Sequence, residues 1–476
     1  MNQQEKIMDV SYKSFISSIV VMVSLMILAY IMTWLIPAGL FEREYAYGQE
    51  LIVPGSYTPT EGGIPFWKWL LSPILILGSS SMSIIIICAF LMVVGGAFSA
   101  LDECGVLRYM LGRLHDKFAD TKYKLLFIIP LFFMLLGSFA GSFEDMVPLV
   151  PLVVALSFAL GWDALIGLGM SILAVCCGFA AGVGNPFTVG LAQSLIGIPM
   201  LSGMWLRAIV FVIIYAMLMI FLYRYAKKID KDPTKSLVYD EQKVNELGAE
   251  RPETKREKHM DRAVIAFAGC LGMGVLSTIC STFITVLQNY MMFILLLAFL
   301  LAGTISSLLS GFSLKNYLKY FGKGIISFLP GIGIILMASS VRYTLENAQV
   351  LDTILYYFVK ATENVPTGAI IIMIYLLILV MNFFITSATG KAFLLMPLIA
   401  PIAQLSGIES QVSVLAFAFG DGFSNIFYPT CPVLLICLGL TGVSYGKWAR
   451  WSLKLQLPIL VVTCGILLFA HAIGYQ

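Results

Sequence analysis

Four ionisable residues, Glu144, Asp145, Lys391 and Asp421, interrupt long apolar runs of this 476-residue chain. A charge near the middle of a bilayer costs roughly 3 kcal/mol or more, so such groups bind or move something polar, or pair with one another. Glu144-Asp145 belongs to the stretch Gly141-Ser142-Phe143-Glu144-Asp145, followed by Pro148-Leu149-Val150-Pro151. Lys391 belongs to Ser387-Ala388-Thr389-Gly390-Lys391, followed by Pro397-Leu398-Ile399-Ala400-Pro401. Three acids against one base favour a ligand with positive charge beside its carboxylate, such as an amino acid with a basic side chain. A dianion would prefer the reverse balance.

Ser138, Ser142, Asn185, Thr188, Ser387, Thr389, Asn425 and Thr430 add hydroxyls and amides that can hydrogen-bond a carboxylate. Three roles stay open for Lys391. It can pair with the ligand carboxylate, occupy the place of a coupling sodium ion, or pair with Glu144, Asp145 or Asp421 and simply hold the structure together. Asp163, Arg207 and Arg450 fall at expected helix ends and read as interfacial anchors or caps.

These groups need elements that can carry them. Hydrophobic residues make up 59% of the chain and charged residues 12%, with a mean hydropathy of +0.90, a balance far from that of a soluble domain. Apolar runs of about 20 residues recur from Ser14 to Ala472, enough to cross a hydrocarbon core roughly 30 Å thick. The expected fold class is therefore an all-α polytopic membrane protein. Phe15 to Leu35 is too long for a signal peptide and lacks a small-residue cleavage pattern, so it reads as the first span.

Lys and Arg in short loops set direction. Lys6 and Lys13 place the amino terminus inside; the acidic segment with Glu42, Glu44, Glu50 and Glu61 lies outside; a span over about Ser72–Leu101 returns to Arg108, Arg113, Lys117, Lys122 and Lys124, a segment able to form a short interfacial helix. Residues 125–161 are too long for one span and carry the polar stretch Gly137–Pro148, which fits a re-entrant hairpin with its tip near mid-membrane. A broken helix over 163–196 and a span from Trp205 to Tyr223 complete a first half, 1–223. A cytoplasmic linker, 224–262, rich in both charges, and a linking span, 263–285, precede a second half, 286–476, with a hairpin at 368–405 and a broken helix at 412–441.

The halves repeat one another. Gly182-Val183-Gly184-Asn185-Pro186-Phe187-Thr188 has a counterpart in Gly422-Phe423-Ser424-Asn425-Ile426-Phe427 with Pro429 and Thr430, and Trp205-Leu206-Arg207 has one in Trp448-Ala449-Arg450. The loop charges give the two hairpins opposite entry sides, so the repeat is inverted, a signature of secondary transporters and alternating access. Within membrane helices, Gly, Asn and Pro free amides and carbonyls for a ligand.

The net charge of +3 is spread over loops and forms no patch that could track nucleic acid. The nine cysteines show no C-x-x-C spacing, and the three histidines, His115, His259 and His471, lie far apart, so no metal site, cofactor or disulfide framework is expected. An enzyme would need a clustered nucleophile, base or metal set, and none is visible. A passive channel is the reading from a different class.

On Gly141–Pro148, Gly182–Thr188 and Ser387–Pro401, the chain resembles, over nearly its whole length, the YfcC-like branch of the ion transporter superfamily, related to anaerobic C4-dicarboxylate carriers. The resemblance implies two re-entrant hairpins, two unwound helices, a homodimeric scaffold and an elevator-type movement in a bacterial inner membrane. It also implies either exchange or uptake of basic amino acids of the arginine and ornithine type, or dicarboxylate transport coupled to sodium or protons. The tips here carry Glu144-Asp145 and Lys391 where sodium-dicarboxylate carriers have paired Ser-Asn-Thr signatures, which counts against sodium coupling.

Overall fold

The computed structural model describes residues 12–46, 49–78, 82–118, 121–141, 143–240, 257–281, 285–363 and 365–476. Seven of the described helices are long and apolar enough to cross a membrane: Lys122–Ala140, Ala164–Leu195, Met204–Lys231, Leu314–Asn347, Thr367–Phe384, Ala388–Leu405 and Tyr445–Ala472. Ile19–Leu35, Val150–Ala159, Phe293–Leu309 and Pro432–Thr441 are shorter apolar helical stretches. The polar stretches sit where the sequence is too irregular to sustain a helix, and the apolar runs between them coil because a helix satisfies its own backbone without water.

One order of elements occurs twice. Tyr12–Leu35, Met82–Glu103 and the short helix Val106–Phe118 precede a helical hairpin, a broken helix and the long helix Met204–Lys231. After Lys258–Ser281, the series Thr285–Leu309, Leu314–Asn347 and Leu351–Ala361 again leads to a hairpin, a broken helix and a long helix, Tyr445–Ala472. The first hairpin has a long arm, Lys122–Ala140, and a short one, Val150–Ala159, joined through a 3-10 turn at Glu144–Leu149. The second has two arms of 18 residues, Thr367–Phe384 and Ala388–Leu405, joined by a tight connection at Ile385–Ser387. Ala164–Ala181 is buried throughout, and at the interruption Gly182, Val183 and Asn185 are buried with Gly184 half-buried, so the break faces protein and not lipid.

Several boundaries differ from those expected. The span placed over Ser72–Leu101 is divided: Phe66–Leu70 and Ser72–Leu75 are separate short helices, and the long helix starts only at Met82. Met204–Lys231 runs eight residues beyond the expected Tyr223 because its last turns bury Tyr225, Ala226 and Ile229. Leu314–Asn347 has 34 residues, about 50 Å at 1.5 Å per residue, well beyond the thickness of the hydrocarbon core. Within the expected linker, residues 241–256 lie outside the described residues.

The segment read only as an outside loop is a structured strap. Gly39–Leu40 pairs with Thr58–Pro59, and Arg43–Ala46 with Gln49–Ile52. The strap docks on the second half: both Asp352 oxygens accept from Arg43 Nη2 at 3.0 Å, and Oδ2 also accepts from the Phe41 amide at 3.0 Å. Tyr57 stacks on Tyr356 with ring centroids 4.1 Å apart. Pairings this short need that distant support, and nothing in the local sequence announces them.

Candidate functional site

The second hairpin meets the second broken helix through a buried polar cluster. Lys391, in the first turn of Ala388–Leu405, and Asp421, near the end of Ser410–Gly422, are both fully buried, and the Lys391 ammonium donates to Asp421 Oδ1. It also donates to Oδ1 of Asn382, on the opposite arm of the same hairpin. Asn382 Nδ2 donates to Ser424 Oγ at 2.6 Å and to Asn425 Oδ1 at 2.9 Å, and the Ser424 hydroxyl donates onward to the Gly420 carbonyl at 3.1 Å. An ammonium is a pure donor, so the whole chain of bonds has a single direction, and the Asn382 amide oxygen must face Lys391.

Ser387 caps Ala388–Leu405 by accepting the Gly390 amide at 3.3 Å, and Thr389 Oγ1 lies 3.3 Å from Ser387 Oγ. These two residues shape the hairpin connection and stand in the first turn with Lys391.

The first hairpin is joined to its broken helix by backbone. Ser138, in a π-helical turn at the end of the long arm, accepts the Val183 amide on Oγ at 3.0 Å and the Gly184 amide on its carbonyl at 3.0 Å. Asn185 caps the turn that resumes the helix, accepting the Phe187 amide at 3.0 Å while its Nδ2 donates to the Phe179 carbonyl at 3.3 Å. Gly141 takes the left-handed conformation at φ +65° between these elements, and a Cβ there would stand 2.5 Å from Asn185 Oδ1, so the tip can be no larger.

The broken helices also meet each other. The Cys176 thiol donates to the Gly422 carbonyl at 3.0 Å, and a Cβ on Gly422 would fall 2.3 Å from Ala180 Cα. Gln193 Nε2 reaches Gln411 Oε1 at 3.3 Å. Pro432–Thr441, which follows the second break, packs against the Glu144–Leu149 turn of the first half, so the second break and the first tip share one region.

Within that region the polar groups divide into those already satisfied and those still open. Lys391, Asn425, Asn185 and Ser138 are engaged as described. Asp421 Oδ2, Thr188 Oγ1 and Thr430 Oγ1 are buried and have no hydrogen-bond partner among the described residues. Buried polar atoms are seldom left so. Glu144 is exposed and forms no ion pair among the described residues. Asp145 shares its 3-10 turn, but its side chain, like all of Ser142, lies outside what the structure describes.

Two residues escaped the sequence reading. Asn382 lies in the last turn of the otherwise apolar arm Thr367–Phe384; its signal was the presence of a carboxamide there. Arg207, read as an interfacial anchor, is fully buried. Its guanidinium donates to the Val183 carbonyl at 3.4 Å, the Ser202 carbonyl at 2.9 Å, Gln411 Oε1 at 3.4 Å and the Tyr475 hydroxyl at 3.3 Å. A helix-end position in sequence became an interior one because the second broken helix and Tyr475 fold over it. Asp163 is the cap expected, accepting the Ile166 amide at 3.0 Å and hydroxyls from Tyr225 at 2.8 Å and Ser236 at 2.6 Å. Arg450 is exposed.

The family model for the C4-dicarboxylate anaerobic carriers (DcuC) matches residues 15–472. The chain belongs to that family. This carrier is 29% identical to the Escherichia coli (strain K12) protein named "Putative basic amino acid antiporter YfcC", over 96% of this chain and 97% of that protein. It is 27% identical to an uncharacterized protein of Haemophilus influenzae, over 78% of this chain and 72% of that one. Among solved structures, the YdaH transporter of Alcanivorax borkumensis aligns at a TM-score of 0.41 and 15% identity, over 96% of this chain and 99% of that one. MtrF of Neisseria gonorrhoeae aligns at 0.41 and 12% identity, over 95% and 94%. At that similarity the superpositions add nothing to the description of this carrier. It is a multi-pass membrane transporter, with a buried polar cluster between Thr367–Phe384, Ala388–Leu405 and the helix break that follows Ser410–Gly422.

Proposed function

We propose that this carrier is a secondary active transporter of small carboxylate-bearing solutes, with basic amino acids of the arginine and ornithine type as its substrates and exchange as its mode. The observation that carries the reading is the pairing of Lys391 with Asp421. It cancels the one basic group at the tips, while Glu144 is exposed and without an ion pair and Asp421 Oδ2 without a hydrogen-bond partner among the described residues. The surplus charge is negative and suits a guanidinium or ammonium. Thr188, Thr430 and the backbone groups released at the breaks suit the solute carboxylate. The near full-length similarity to a protein named as a basic amino acid antiporter points the same way.

Two inverted halves, re-entrant hairpins and an elevator-type movement of the hairpin and broken-helix domain in a homodimer account for how one site would face each side in turn. An amino terminus on the cytoplasmic side of a bacterial inner membrane fits the loop charges. The family description favours a second reading, a C4-dicarboxylate carrier. Melting of the purified protein with arginine, ornithine, lysine and succinate separates the two, because a ligand raises the midpoint of the state it binds. Stabilisation by the basic amino acids supports the proposal, and stabilisation by succinate alone replaces it with the dicarboxylate reading.

A further inference from the structure

We propose that the Lys391 ammonium is a built-in monovalent cation: it occupies, through its side chain, a site that would otherwise hold an alkali-metal ion, so no sodium ion binds there during transport. The inference extends the transporter reading to its coupling and rests on it for its functional meaning, though not for its melting test.

The geometry around Nζ is that of a cation site. Its partners are an amide oxygen, Asn382 Oδ1, and a carboxylate oxygen, Asp421 Oδ1. Hard oxygens of these types are what sodium, like other hard cations, selects. The second carboxylate oxygen, Asp421 Oδ2, is buried and has no partner among the described residues, an open lone pair on the same ligand.

The Asn382 oxygen is not free to turn away. Both hydrogens of its Nδ2 are committed, to Ser424 Oγ and Asn425 Oδ1, and the Ser424 hydroxyl is committed to the Gly420 carbonyl. This fixes a negative carboxylate and an oriented amide oxygen around a single positive charge in a dry setting, at the junction of the second hairpin and the second helix break. A cross-link made only for packing would not need an amide aligned by three further hydrogen bonds, and a dry ion pair is in any case a poor source of stability against apolar residues of the same volume.

Removing the lysine side chain therefore leaves a buried carboxylate and an aimed amide oxygen, which a sodium ion can satisfy. The test is thermal melting of the purified full-length protein in detergent, with sodium chloride titrated against choline chloride at constant ionic strength and no solute present. The wild type melts at the same midpoint in both salts. Lys391→Ala and Lys391→Ser, the latter adding a further oxygen ligand, melt lower in choline and are raised saturably by sodium.

The double variant Lys391→Ala/Asp421→Asn, which removes both charges, keeps its folded state and shows no sodium effect. A saturable sodium effect on the wild type overturns the proposal, and so does a sodium response in neither folded single variant. If neither single variant can be purified folded, counterflow by wild-type proteoliposomes decides: equal rates in sodium and choline uphold the proposal, and dependence on sodium overturns it. The melts contain no amino acid or dicarboxylate, so a wrong substrate assignment leaves their outcome unchanged.

Discussion

Asn382 and Lys391, nine residues apart on opposite arms of one hairpin, are joined by a hydrogen bond from the lysine ammonium to the asparagine amide oxygen. The bond closes the tip of the hairpin and aims Lys391 at Asp421 on the neighbouring broken helix. Asn382→Leu keeps the branching at Cγ, with a somewhat larger side chain, but strips one partner from a buried ammonium and leaves Ser424 and Asn425 without their donor. Leaving such groups unsatisfied costs about 1–3 kcal/mol. The expected result is a lower melting midpoint of the purified protein together with loss of transport; a variant as stable and active as the wild type would assign Lys391 entirely to Asp421.

The Arg207 guanidinium ties the first helix break to the far end of the chain, holding the Val183 carbonyl on one side and the Tyr475 hydroxyl on the other. Arg207→Lys offers one ammonium where a planar fork now makes five hydrogen bonds to four acceptors, so it should destabilise nearly as much as Arg207→Met. Tyr475→Phe removes one of these bonds together with the hydroxyl's own donation to the Gly203 carbonyl, and should cost about 1 kcal/mol for each. The check is the order of melting midpoints: wild type highest, Tyr475→Phe next, and both Arg207 variants well below. Equal midpoints for Arg207→Lys and the wild type would return Arg207 to an anchoring role.

At the crossing of the broken helices, Gly422 passes so near Ala180 that a methyl group would lie 2.3 Å from its Cα atom. Backbone cannot yield as a flexible side chain can, so Gly422→Ala must push the two breaks apart. The expected outcome is folded protein with sharply reduced transport, or loss of folded protein; Gly439→Ala, at a glycine with nothing within 4 Å of the added carbon, is the control that should change neither. Unimpaired transport by Gly422→Ala would mean that this close approach plays no part in the cycle.

How much of this was legible in the sequence depends on how local each cause is. The helix interruptions were visible because Gly, Pro and polar residues break apolar periodicity on the spot, as at Gly141 and Gly182–Asn185. Lys391 and Asp421 stood out because charges are costly in apolar runs. Their pairing was one of several open roles, since nothing in spacing aligns positions 391 and 421 against 144 and 145. Asn382 was missed because a carboxamide carries no charge and breaks no helix. Arg207 was misread because loop-charge counting assigns depth along a single chain, and burial here comes from Gln411 and Tyr475, more than 200 residues away. The strap at 39–60 was unreadable for the same reason, its anchor being Asp352.

The most direct measurement of the central claim is counterflow in proteoliposomes. Vesicles loaded with unlabelled arginine or ornithine should take up external labelled arginine faster than empty vesicles do, with succinate neither exchanging nor competing. Glu144→Gln should slow that exchange by removing the unpaired carboxylate at the first tip. Succinate counterflow without arginine exchange, or arginine entry that ignores what is inside the vesicle, would contradict the account.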